Sequence, residues 1–178
     1  TINVDDESSH GVYVYGGTFE LTGGAIRVPG DRMHGVYVYG GTAKISGGAI
    51  TVNGYSGSGV KVSSGMAIIS GGTITANGSV GNGVMVQSGS AAAISGGAIT
   101  ANGSMGNGVN VTSSGTATIT GGTITADNRG VDVSSGTATI SGGTITADNR
   151  GVSVSSGTAT ISGGTITADN RGVSVSSG

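Results

Sequence analysis

Cysteine and tryptophan are absent from this 178-residue chain, proline and phenylalanine occur once each, and charged residues make up only 9%. Without cysteine there is no disulfide framework and no thiol chemistry. A formal net charge of −2 leaves no basic patch able to hold nucleic acid, so no nucleic-acid partner is expected. Uninterrupted apolar runs are short, so no membrane span is expected. No window repeats apolar residues at the helical period, and the Gly-Gly pairs would break a helix that did. The chain opens on Thr1 with no signal segment, so a piece processed or excised from a longer chain is expected.

What is abundant is glycine, 39 residues, with valine, isoleucine, alanine and threonine. Glycine at this level without a Gly-X-Y period excludes collagen, and the β-branched residues favour strands. A Gly-Val pair recurs at Gly11, Gly35, Gly59, Gly83, Gly108, Gly130, Gly151 and Gly172, with spacings of 24, 24, 24, 25, 22, 21 and 21. Residues 130–150 and 151–171 are nearly identical. Self-similarity at this period marks a stacked repeat.

Within 130–150, the segments Val131-Asp132-Val133, Ala138-Thr139-Ile140 and Ile145-Thr146-Ala147 alternate apolar and polar residues. That alternation puts Val, Ala or Ile on one face of a strand and Asp or Thr on the other. Ser134-Ser135-Gly136, Ser141-Gly142-Gly143 and Asp148-Asn149-Arg150 are turn-forming corners. Three strands and three corners make one coil of an all-β, parallel β-helix, expected to be right-handed. Asn53-Gly54, Asn77-Gly78 and Asn102-Gly103 are hairpin signals, but a meander would not place like residues one full repeat apart.

The register predicts three inward columns. They are Val12/36/60/84/109/131/152, Leu21 with Ile45/69/94/119/140/161, and Ile26/50/74/99/124/145/166. The third corner shortens from six residues (53–58, for example) to three (127–129), and one extra residue enters the first corner between Val86 and Ile94 and between Val111 and Ile119; together these account for the changing period. One solenoid segment is expected over 1–178, cut mid-coil at both ends, with the parent chain continuing or the ends stacking head-to-tail on other copies. About seven coils at ~4.8 Å give a rod on the order of 35 Å long.

GVYVYGGTFELTGGAI, SGGTIT and GGAI resemble the repeats of pectin-lyase-like right-handed β-helix surface proteins, found in bacterial adhesins, autotransporter passengers and polymorphic outer-membrane proteins. The resemblance implies an extracellular or cell-surface location and an adhesive or structural stalk. The residues themselves offer little for enzymatic chemistry, so no catalytic activity and no cofactor are expected.

Three outward surfaces are candidates for function. Tyr13, Tyr15, Tyr37 and Tyr39 fall on one face and could stack on surface glycans or dock a host or cell-surface ligand, although tyrosine also suits a strand and stacks on its like. Thr73/Thr75, Thr123/Thr125, Thr144/Thr146 and Thr165/Thr167 form a Thr-x-Thr array that resembles ice-binding solenoids, although threonine also suits any exposed strand. A glycan-binding or glycan-degrading protein is a further alternative, since Asp5, Asp6, Glu7 and Asp31 converge with His10, Arg32 and His34, the two histidines one coil apart. Asp127/148/169 and Arg129/150/171 form opposed charge ladders at the third corner, where arginine argues against bound calcium. No metal site is expected.

Overall fold

Because the polar–apolar alternation repeats coil after coil, each strand can satisfy its backbone only by pairing with its equivalent above and below. The computed structural model describes residues 1–4 and 9–176 and has this arrangement. Among the described residues there are 21 strands and no helix. Every pairing is parallel; Val84 lies between Val60 and Val109, Ile94 between Ile69 and Ile119, and Ile74 between Ile50 and Ile99. The first strands of the coils, from Val12–Val14 to Arg171–Val175, form one 8-stranded sheet. The second and third strands form a 13-stranded sheet that wraps the other two sides. The protein is a parallel β-solenoid of about seven coils.

Hydrogen bonds along the rod axis replace those a hairpin would make within a coil. Tyr39 N–H donates to Val14 O (2.9 Å), Ser63 N–H to Val38 O (2.9 Å), Gln87 N–H to Val62 O (3.0 Å) and Thr112 N–H to Val86 O (2.9 Å). Inside, the three inward columns form one continuous core, with Ala43, Ala67, Ala92, Ala117 and Ala138 filling the remaining space. The largest fully buried side chains are the isoleucines. Each contributes about 1.5–3 kcal/mol by leaving water. Ile124 and Ile145 are buried while Thr125 and Thr146 beside them are exposed, as the alternation requires.

Glycine is indispensable where a coil narrows before its first strand. A Cβ on Gly83 would fall on Ile99 Cγ2 and lie 2.7 Å from the Gly108 carbonyl oxygen. The Gly-Gly corners need glycine for a different reason: Gly122, with φ 84°, turns the chain through the left-handed region that side chains avoid.

Three features depart from the sequence-based expectation. Strands two and three of the last two coils merge into Gly136–Ala147 and Thr158–Ala168, with register shifts around Ser141. In the last coil Ile161 is exposed and Ile166 only half-buried, because a coil packs on one side of them alone. Asp132 and Ser153, expected to point into solvent, are buried.

Replacing Gly83 with Ala should destabilise the rod by about 3 kcal/mol, through overpacking against backbone that cannot yield. Gly23→Ala, where nothing lies within 4 Å of the new Cβ, should change stability by less than about 0.5 kcal/mol. Chemical denaturation followed by circular dichroism checks both.

Candidate functional site

The residue preceding each recurrent glycine forms a column: His10, His34, Ser58, Asn82, Asn107, Arg129, Arg150 and Arg171. It begins at the third corner and leads into the first strand, with Asn82 paired to Ser58 and Asn107 to Arg129. His34, Ser58, Asn82 and Asn107 are all buried, so this column is a polar strip set against the apolar core. A buried polar group must find a hydrogen bond, and here it finds it in the next coil. His34 N–H donates to His10 Nδ1 (3.1 Å), Ser58 N–H donates to His34 Nδ1 (3.0 Å), and Asn107 Nδ2 donates to Asn82 Oδ1 (3.1 Å). Ser58 Oγ, Asn107 Oδ1 and Asn110 Oδ1 are buried without a hydrogen bond inside the chain.

Both histidines accept at Nδ1, so each is neutral with its proton on Nε2. Their rings stack with centroids 5.0 Å apart and planes 12° from parallel. Burial, then the Lys61 ammonium, then His10 push His34 down to about 3, and burial followed by Lys61 lowers His10.

The four tyrosines stand beside this pair, as their position in the first strand requires. Tyr13 pairs with Tyr37 in register, and the rings meet edge-on at 5.2 Å. Tyr15 and Tyr39 stack at 5.7 Å, and Tyr13 and Tyr39 at 6.2 Å. Tyr15 is 74% exposed, while Tyr37 is half-buried under Lys61, whose Nζ lies 5.3 Å from its ring centroid. The result is an aromatic platform continuous with the histidine pair. His10 lies edge-on to Tyr37 at 4.9 Å, a contact that pairwise spacing in the sequence did not reveal.

The threonine array lies on the third strand. Thr73, Thr123, Thr125, Thr144, Thr146, Thr165 and Thr167 are exposed and Thr75 is half-buried. One of its two columns is interrupted by Ala98; the other runs Thr51, Thr75, Thr100, Thr125, Thr146 and Thr167 without a break.

The acid–base cluster is assembled in part. His10 and His34 meet as expected, whereas Asp5, Asp6 and Glu7 lie outside the described residues. Asp31 is engaged elsewhere, accepting from Tyr55 N–H at 2.6 Å. The charge ladders also differ from expectation. Arg129 Nη1 lies 3.4 Å from Asp132 Oδ2 in the strand ahead of it, instead of turning back to Asp127. The three-residue corner places Arg129 at the start of the strand, and its side chain covers the column that holds Asp132. Between the two ladders runs an amide ladder, in which Asn149 Nδ2 donates to Asn128 Oδ1 and Asn170 Nδ2 to Asn149 Oδ1, both at 3.1 Å. Asn53, Asn77 and Asn102 form a second one at 2.7 Å per step. Comparison with protein-family models, with curated proteins and with solved structures returned no match.

Because His34 is neutral in the folded protein, with a pKa of about 3 against 6.5 when exposed, the unfolded chain binds more protons below pH 6.5. Stability should therefore fall as pH drops from about 6.5 toward 3, by on the order of 2–3 kcal/mol near pH 4.5. His10 acts in the same direction, and both face Lys61 and Tyr37. Urea midpoints across this range should fall less steeply for His34→Asn, which keeps an acceptor but does not titrate.

Proposed function

We propose that this protein is an extracellular structural and adhesive rod, a surface stalk or filament element of the kind found in β-helix adhesins. The observation that carries the reading is the stacking of near-identical coils with equivalent strand residues paired, Arg129 over Arg150 over Arg171 and Ile124 over Ile145 over Ile166. Length is the property such a construction multiplies. Specificity would come from the N-terminal coils, where the sequence does vary and the tyrosine platform stands exposed. We infer no catalytic turnover: both histidine Nδ1 atoms are committed to backbone N–H groups, and the remaining outward columns carry mainly Ser and Thr.

The exposed first strand of the last coil, with Val173 and Val175, offers the same ladder positions that each earlier coil fills with its successor. A further coil of the same chain or of a second copy would bind there by continuing the register. A second reading, ice binding, is favoured by the uninterrupted threonine column on the third strand.

Replacing Tyr13, Tyr15, Tyr37 and Tyr39 with Ser should abolish glycan or cell-surface binding while leaving the β-sheet circular dichroism signal; unchanged binding would exclude the platform. Val173→Pro and Asn3→Pro each remove a ladder donor that faces an open edge, so end-to-end filaments seen by electron microscopy should disappear. Filaments that survive both changes would point to lateral association instead. Thermal hysteresis of the folded protein tests the ice-binding reading, which its absence would eliminate.

A further inference from the structure

A groove of about 380 Å³ adjoins the tyrosine platform, sharing with it Lys61 and His34, which both contact the Tyr37 ring. Its construction follows from the register. The six-residue third corners supply one wall, with Arg32, Ser56 and Val80 at equivalent positions of successive coils. The outward column of the first strand supplies the other, with Lys61, Met85 and Asn110. The buried His34 and Asn82 lie between them. The groove exists only where the corner is long. Once the corner shortens, Arg129 covers the same column and the space closes.

That closed end shows what the open end lacks. At Arg129 and Asp132 the two walls are joined by a guanidinium and a carboxylate 3.4 Å apart. In the groove both walls carry cations, Arg32 on the corner and Lys61 on the strand, and no carboxylate is among the lining residues. Neither cation makes an ion pair among the described residues. Two of the other polar groups, His34 and Asn82, are also arranged as donors, whereas Asn110 uses its Nδ2 on Asn82 and leaves its Oδ1 unpaired. His34 Nδ1 accepts from the backbone, which puts its proton on Nε2. Asn82 Oδ1 accepts from Asn107 and from Asn110 (3.4 Å), which leaves its Nδ2 as the unspent end of the amide. Arg32 is held in the left-handed region at φ 61°, a strained geometry for a non-glycine residue and one that recurs at ligand sites. The chain has only seven Lys and Arg in all, so two facing each other across one groove is a local excess against a net charge of −2.

We propose that this groove binds an oxyanion, a carboxylate, sulfate or phosphate group, between Arg32 and Lys61, with the apolar part of the ligand resting on Met85. The site is separate from the stacking face of the tyrosines and stands whether or not the rod is adhesive. Its neighbour Lys61 belongs to both, so a ligand that carries an anionic group next to a flat ring could span the two.

The test is an NMR titration of the full chain with acetate, sulfate and inorganic phosphate at constant ionic strength, with glucose as the neutral probe. Saturable shifts of the Asn82 and Asn110 side-chain amides with one or more anions, and none with glucose, are expected; which anion binds most tightly distinguishes the sources. Lys61→Met, which keeps the stem, should weaken binding by about tenfold through loss of a charge-assisted contact. Arg32→Gly should do the same, and because glycine tolerates that backbone angle this variant is expected to fold. Lys44→Met, whose ammonium pairs with Glu20, should leave affinity unchanged. The proposal is overturned if no anion gives saturable shifts, or if Lys61→Met and Arg32→Gly both bind as the parent does. Binding seen only after Asp5→Asn, Asp6→Asn and Glu7→Gln would also overturn it, since the chain's own carboxylates would then be the anion.

Discussion

Backbone hydrogen bonds directed along the rod axis set the terms for everything else in this molecule. Each coil meets its neighbours through parallel ladders in which a residue faces its counterpart one repeat away, so every side chain is stacked on a related one. Such stacking is favourable for Ile, Val, Thr and Asn and unfavourable for charges, because like charges at ~4.8 Å repel. The scarcity of charge is a consequence of that geometry. Opposite charges alternate where Glu20 lies under Lys44, with Nζ donating to Oε1 at 2.9 Å; the one like-charge column in a strand, Arg129, Arg150 and Arg171, is offset at Arg129 by Asp132. Uncharged amides serve instead as the repeated polar group, since an Asn stacked on an Asn is both donor and acceptor.

The same constraint links corner length to function. The first two strands' inward residues hardly change along the rod, whereas the third corner loses three residues between the coil ending near Asn107 and the one ending near Arg129. Long corners stand away from the first strand and leave a groove floored by buried polar residues. Short corners bring arginine to the strand and seal it. The half of the rod that varies thus holds the platform, the histidine pair and the groove, and the uniform half holds none of them.

Much of this architecture was legible from spacing alone. The Val, Leu and Ile columns follow from the recurrent Gly-Val pair, and the pairings Val84 to Val109 and Ile74 to Ile99 match that reading across the 25-residue coil. The tyrosine cluster was legible too, since it needs only strand alternation and register. Burial of His34 was not, because a residue before a glycine reads as a solvated corner until the coil above is seen to donate a backbone N–H to its ring. Nor was the cover over Asp132, which depends on where the long, flexible Arg129 lies; sequence distance favours Asp127 as the partner. The amide ladders have a visible signal, Asn at 53, 77 and 102, but in sequence an Asn-Gly pair signals a turn, a property of one site, and the contact between coils emerges only from stacking.

One consequence of the axial ladder is mechanical. When such a rod is pulled from its two ends, the force does not load all its ladders together. It peels the outermost coil first, breaking the few bonds that hold that coil to the next, and then meets an equivalent coil beneath. A folded coil adds ~4.8 Å to the length of the rod, while the 21 residues of 130–150, once peeled, span at most roughly 70 Å. Near-identical coils would yield at near-identical tension, so the uniform half would extend at a nearly constant force.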